Sequence, residues 1–148
     1  MRKGFPRQPD TYRILDANIN RAKEGLRVCE EITRFILNSR SLTLELKNIR
    51  HKIDSLVKHL PAKESLLAKR QSLTDVGKGN SARELNRKSY RDIFLANIQR
   101  AEESLRVLEE FAKLSNSRIA AGFKKIRYGT YETEKKIIKR LLALPDFR

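Results

Sequence analysis

Asparagine and arginine side chains on an apolar helix face are the residues of this chain best placed to do chemistry. Winding residues 14–35 at the helical period puts Ile14, Asn18, Arg21, Gly25, Val28, Ile32 and Phe35 on one stripe. A second stripe of Leu15, Ile19, Ala22, Leu26 and Cys29 lies beside it. The same pattern returns later as Ile93, Asn97, Arg100, Ser104, Val107, Phe111 and Leu114. A buried amide or guanidinium costs several kcal/mol unless it finds a partner. Two readings follow. One is a polar cavity between the two copies, in which Arg21 and Arg100 meet an anion and Gly25 and Ser104 leave room for it. The other is a self-satisfied Asn–Arg–Glu network that sets helix register. The small residues favour the cavity. Glu24, Glu31, Glu103 and Glu110 stand at its margin, where they can pair with the arginines or supply a carboxylate to Mg²⁺.

The elements that carry these residues form a duplication. Residues 14–35 and 93–114 align at an offset of 79 without gaps, and 12 of the 22 positions are identical. Both segments are rich in strong helix formers. A second echo follows at an offset of 77, where Leu46-Lys-Asn-Ile-Arg50-His51 resembles Phe123-Lys-Lys-Ile-Arg127-Tyr128. Arg50, His51, Arg127 and Tyr128 therefore hold matching places on two second helices and can complete the cavity from its far wall. The repeating unit is a helix, a short turn and a second helix. Asn38-Ser39-Arg40-Ser41 and Ser115-Asn116-Ser117 supply the turns and N-caps.

The fold class expected is all-α, a four-helix core from two duplicated helical hairpins with short connecting helices. The expected layout is an N-terminal arm over 1–10 and a single helical domain over 11–148. Within it, hairpin repeat 1 spans 11–60, a connector and loop 61–90, and hairpin repeat 2 91–141. In the connector, residues 62–70 are compatible with a short helix. Ser72-Leu-Thr-Asp75-Val-Gly77-Lys78-Gly79-Asn80-Ser81 reads as an exposed or ligand-facing loop.

The 148 residues favour one domain with a real core. One cysteine, Cys29, excludes an internal disulfide and a cysteine-based zinc site, and fits a reducing compartment. No secretory leader or membrane-length apolar run is visible, so the expected location is cytoplasmic, with no membrane partner. Lys and Arg exceed Asp and Glu by 33 to 18, a net charge of +15. That excess calls for an anionic partner, whether phosphorylated small molecules, an acidic surface or nucleic acid. No Walker, Rossmann, zinc-ligand or nucleophile signature is present.

The segment from Asp16-Ala-Asn18 through Glu30-Glu31-Ile-Thr-Arg34-Phe35 resembles the opening signature of the all-helical hydroxymethylpyrimidine-phosphate kinases of thiamine biosynthesis. Ile49-Arg50-His51, Leu60-Pro61-Ala62, Asp75-Val-Gly77, Ala96-Asn97-Ile-Gln-Arg100 and Ile126-Arg127-Tyr128 match in order, over nearly the whole chain. The family occurs alone or fused ahead of thiamine-phosphate synthase. The resemblance implies a phosphotransferase that moves the γ-phosphoryl of ATP, with Mg²⁺, onto a phosphorylated pyrimidine. A phosphomonoester is largely ionised near neutral pH, so such a reaction needs positive charge more than a base. On this reading Arg21, Arg100, Arg50 and Arg127 are catalytic and contact phosphates. Asn18, Asn97, His51, Tyr128, Asp75 and Gly77 bind substrate, and Glu24 and Glu103 bind the metal. The alternatives are a non-catalytic accessory domain of thiamine-phosphate synthase and, less favoured, a basic nucleic-acid-binding module. Exposed helix faces also allow a homodimer.

Overall fold

A computed structural model describes residues 8–60, 72–79 and 81–145. Four long helices dominate it: α1 (Gln8–Glu31), α2 (Arg40–Val57), α3 (Tyr90–Ala112) and α4 (Ser117–Leu142). Single helical turns at Ser72–Thr74 and Ala82–Leu85 lie between α2 and α3, and no strand occurs among the described residues. The all-α expectation holds. The short helix expected over 62–70 falls outside the described residues, and α1 begins within the segment expected to be an arm.

Local chemistry starts the helices where the sequence places turn residues. Ser39 caps α2 by accepting from the Leu42 amide at 3.3 Å, and Asn116 caps α4 by accepting from Arg118 at 2.9 Å and Ile119 at 3.3 Å. Ser89 does the same for α3 through the Asp92 amide. Between α1 and α2 the chain passes through a π-helical turn, Ile32–Ile36, and then Asn38 in the left-handed region at φ 48°. Asparagine tolerates that conformation better than most residues.

Each helix packs principally on two others: α1 on α2 and α3, and α4 on α2 and α3. The apolar stripes meet in one core that includes Leu26, Ile53, Phe94, Ile98, Leu105, Phe123 and Ile137, all fully buried. Each such side chain contributes about 1.5–3 kcal/mol. Cys29 lies in this core, its thiol 3.8 Å from the Phe94 carbonyl oxygen, and burial pushes its pKa well above the usual thiol range. No helix among the described residues is long and apolar enough to cross a membrane.

The tightest crossing joins the two copies. α1 and α3 run antiparallel, with Cys29 beside Phe94 and Gly25 beside Asn97 and Ala101. A Cβ on Gly25 would stand 2.6 Å from the Asn97 carbonyl oxygen. Ala22 and Ala101, equivalent at the offset of 79, are both fully buried at this crossing. The small residues therefore bring two backbones together, and the room expected beside Gly25 is filled by the main chain of α3.

Gly25→Ala should destabilise the fold by about 1–3 kcal/mol in urea unfolding, because backbone must move to admit the methyl. Gly122 is the control. A Cβ there meets only the end of the Leu56 side chain, at 2.8 Å. Gly122→Ala should be close to neutral, since its gain in helix propensity is about 1 kcal/mol.

Candidate functional site

The arginines of the second helices are held by carboxylates of the first. On α2, Arg50 forms a two-pronged pair with Glu30, through Nε to Oε2 and Nη2 to Oε1, the latter at 2.9 Å. On α4, Arg127 donates to Glu109 Oε2 from Nε at 3.1 Å and Nη2 at 3.0 Å, and to the Tyr131 hydroxyl at 3.2 Å. Glu30 and Glu109 are equivalent at the offset of 79, and Arg50 and Arg127 at 77. Each hairpin thus repeats one ion pair between its two helices, part-buried at Arg50–Glu30 and buried at Arg127–Glu109. Donating to Glu30 raises the Arg50 pKa, and donating to Tyr131 and Glu109 raises that of Arg127.

The other expected site residues are dispersed. Asn18 and Asn97 each donate their side-chain amide to the carbonyl four residues back, Ile14 and Ile93, both at 2.8 Å. Asn18 is buried and Asn97 half-buried. Arg21 is half-buried and Arg100 exposed, outside the apolar arc where helical winding alone would put them. His51 is exposed, and so is Tyr128, whose ring meets Tyr131 edge-on at 5.9 Å. Asp75 accepts from the Gly77 amide at 2.8 Å and so closes its own loop turn. Glu24 and Glu103 are exposed. Among the described residues no three Asp, Glu, His or Cys side chains gather as a metal-binding group.

Two of the expected residues, Arg127 and Glu103, do meet in one cavity. It measures about 470 Å³ and is also lined by Gln99, Glu102, Arg106 and Tyr131. Its charges are largely matched, because Arg106 lies 3.2 Å from Glu110 and 3.7 Å from Glu109. Glu102 is 8% exposed, and its Oε1 has no hydrogen-bond partner. Its carboxyl is pushed up to about 9, first by burial, then by hydrogen bonding to Glu134 and the charges of Glu134 and Glu103. A neutral Glu102 is a hydrogen-bond donor, not a metal ligand.

Sequence reasoning assigned no role to Glu30, Glu109 or Glu102. The signal for the first two was available, since both are identical between the copies and stand 20 and 18 residues before their arginines. Glu102 carried no such signal, because its counterpart is Lys23, which pairs with Asp54 at 2.7 Å.

Two measurements follow. Arg127→Met should lower unfolding free energy by about 3 kcal/mol by leaving Glu109 buried and unpaired, whereas joint Arg127→Met and Glu109→Leu replacement should recover most of it. Glu102 binds its proton more tightly folded than unfolded, where a glutamate titrates near 4.5. Its contribution to stability therefore falls as pH rises from about 4.5 through about 9. Thermal melts of Glu102→Gln should show a flatter pH dependence and a higher midpoint than the parent at about pH 9. An unchanged pH slope would remove the protonated carboxyl.

Comparison with known proteins places this geometry in context. The model of the ThiD2 family matches residues 13–136. Relatives named thiamine-phosphate synthase include those of Nostoc punctiforme, 42% identical over 88% of this chain and 36% of the relative, and Rhodopirellula baltica, 40% identical over 89% and 35%. That of Synechocystis is 41% identical over 87% of this chain and 38% of the relative. The chain thus spans about a third of the length of the curated relatives it matches. No solved structure matches. The expectation of a kinase-type phosphotransferase is corrected by this result: these relatives are named for a synthase, a transferase and not a kinase, of which the chain matches only a part. A match over 124 of 148 residues decides the kinship, and the chain belongs to the ThiD2 family.

Proposed function

We propose that this chain serves thiamine biosynthesis as a non-catalytic accessory domain that docks on a thiamine-phosphate synthase. The observation that carries the reading is the shape of the likeness. Nearly the whole chain aligns, at about two residues in five, with roughly a third of proteins that bear that name. A segment with its own core that recurs inside a larger protein behaves as a module beside the remainder.

The residues support this role. Arg50 and Arg127 tie helices together through Glu30 and Glu109, and so act in architecture. The outer faces carry exposed Tyr128, Tyr131, Leu44 and Leu142, apolar or aromatic groups of the kind that anchor interfaces. A net charge of +15 steers such a module toward an acidic face of its partner.

Sedimentation and calorimetry on the purified chain, mixed with thiamine-phosphate synthase from the same organism, test the reading. The expected result is a stoichiometric complex with a Kd of about 10 µM or tighter, weakening as salt rises. Absence of a complex at about 100 µM of each protein would sink the docking reading. Turnover of a substrate by the isolated chain would refute its non-catalytic character.

A further inference from the structure

The duplication makes each hairpin a control for the other, and the copies part along the seam between α2 and α4. These helices run antiparallel, with Glu45 beside Thr133 toward one end and Leu56 beside Gly122 toward the other. The first end is clasped. Glu45 accepts from the Thr133 hydroxyl and from the Lys136 ammonium, each at 3.0 Å. At the offset of 77 the counterparts of Glu45, Thr133 and Lys136 are Gly122, Leu56 and His59. With no carboxylate among them the clasp is not repeated, and the second end is an open groove of about 320 Å³.

Buried Ile49 and Ile126 and half-buried Leu56 give the groove an apolar floor. Lys52, Lys125 and His59 are exposed along its rim, and no carboxylate lines it. The Ser55 hydroxyl is occupied by the His51 carbonyl at 3.0 Å, which leaves few polar groups to orient a small ligand. Gly122 and Gly129 belong to the same lining, seven residues apart on α4. Glycine weakens a helix interior, so it is retained there at a cost. At Gly122 a Cβ would press on the Leu56 side chain at 2.8 Å. At exposed Gly129 a Cβ would meet nothing within 4 Å. Packing among the described residues does not call for that second glycine, and its bare backbone leaves space on the outside of the fold.

We propose that this groove receives an acidic amphipathic helix of the synthase, its apolar side chains on the floor and its carboxylates against Lys52 and Lys125. Such an occupant presupposes the docking to a synthase proposed above. Charge complementarity selects it, because a basic rim around an apolar floor matches a helix with acidic flanks. A second copy of this chain is disfavoured, since two chains of net charge +15 would set the same lysines against each other.

Calorimetry on the full chain and variants, with thiamine-phosphate synthase from the same organism, tests the groove. Gly129→Met, whose Cβ meets no neighbour, should fill the groove and weaken binding about tenfold or more, with helicity unchanged. Lys52→Glu with Lys125→Glu should also weaken binding about tenfold or more and flatten its salt dependence. The control Lys124→Glu with Lys135→Glu makes the same change of charge on exposed residues outside the groove, and should stay within about threefold. If both groove variants bind within about twofold of the parent, the groove is overturned while docking elsewhere on the surface stands. Equal loss in the control overturns it as well. Failure of the parent chain to bind sinks docking and groove together. Self-association of the chain alone, abolished by Gly129→Met with synthase binding unaffected, would give the groove to a second copy instead.

Discussion

Gly25 lets α1 and α3 approach until a side-chain carbon there would stand 2.6 Å from the Asn97 carbonyl oxygen. Everything else is arranged around that contact. Closely packed helices cannot rotate or slide without driving side chains into one another, so the crossing sets which faces of each copy look inward. Ala22 and Ala101 lie buried at the same crossing. Phe94, Ile98, Leu105 and Leu26 then fill the space on either side. A duplicated hairpin has one apolar face too many for life alone, and here each copy covers the other's.

Within each hairpin a different force fixes the second helix. Arg50 with Glu30 and Arg127 with Glu109 are charge-assisted, multiply bonded and largely removed from water. Against hydrophobic replacements such pairs add little net stability, but a helix slipped by one turn would strand both charges. They act as register keys. The duplication kept both keys while letting neighbouring positions diverge, so that Lys23–Asp54 in one copy has Glu102 and Tyr131 at the corresponding places in the other.

Divergence between copies is where a duplicated fold gains asymmetry. The first corner is two residues longer than the second and passes through a π-helical turn, and Glu31 there stands where Glu110 ties Lys113 and Arg106 in the second copy. The second copy instead acquired a buried carboxyl that keeps its proton to about pH 9. A chain of net charge +15 built this way has a net positive field at its surface.

The helices, their caps at Ser39 and Asn116, the burial of Leu26 and Cys29, and the pairing of two like hairpins were all legible in the amino-acid sequence. Each depends on residues within a few positions of one another or on a repeat that alignment exposes. Helical period also placed Asn18 inside, and it is buried. Period could not decide who its partner would be, and that proved to be the Ile14 carbonyl of its own helix. Nor could it separate Arg21, half-buried, from its copy Arg100, exposed, or tell that Arg50 reaches Glu30 and not Glu24 or Glu31. Those outcomes were decided only by tertiary structure. The rotation of one helix against the next is set by closest packing at Gly25, a contact between residues 72 positions apart, and no local pattern encodes it.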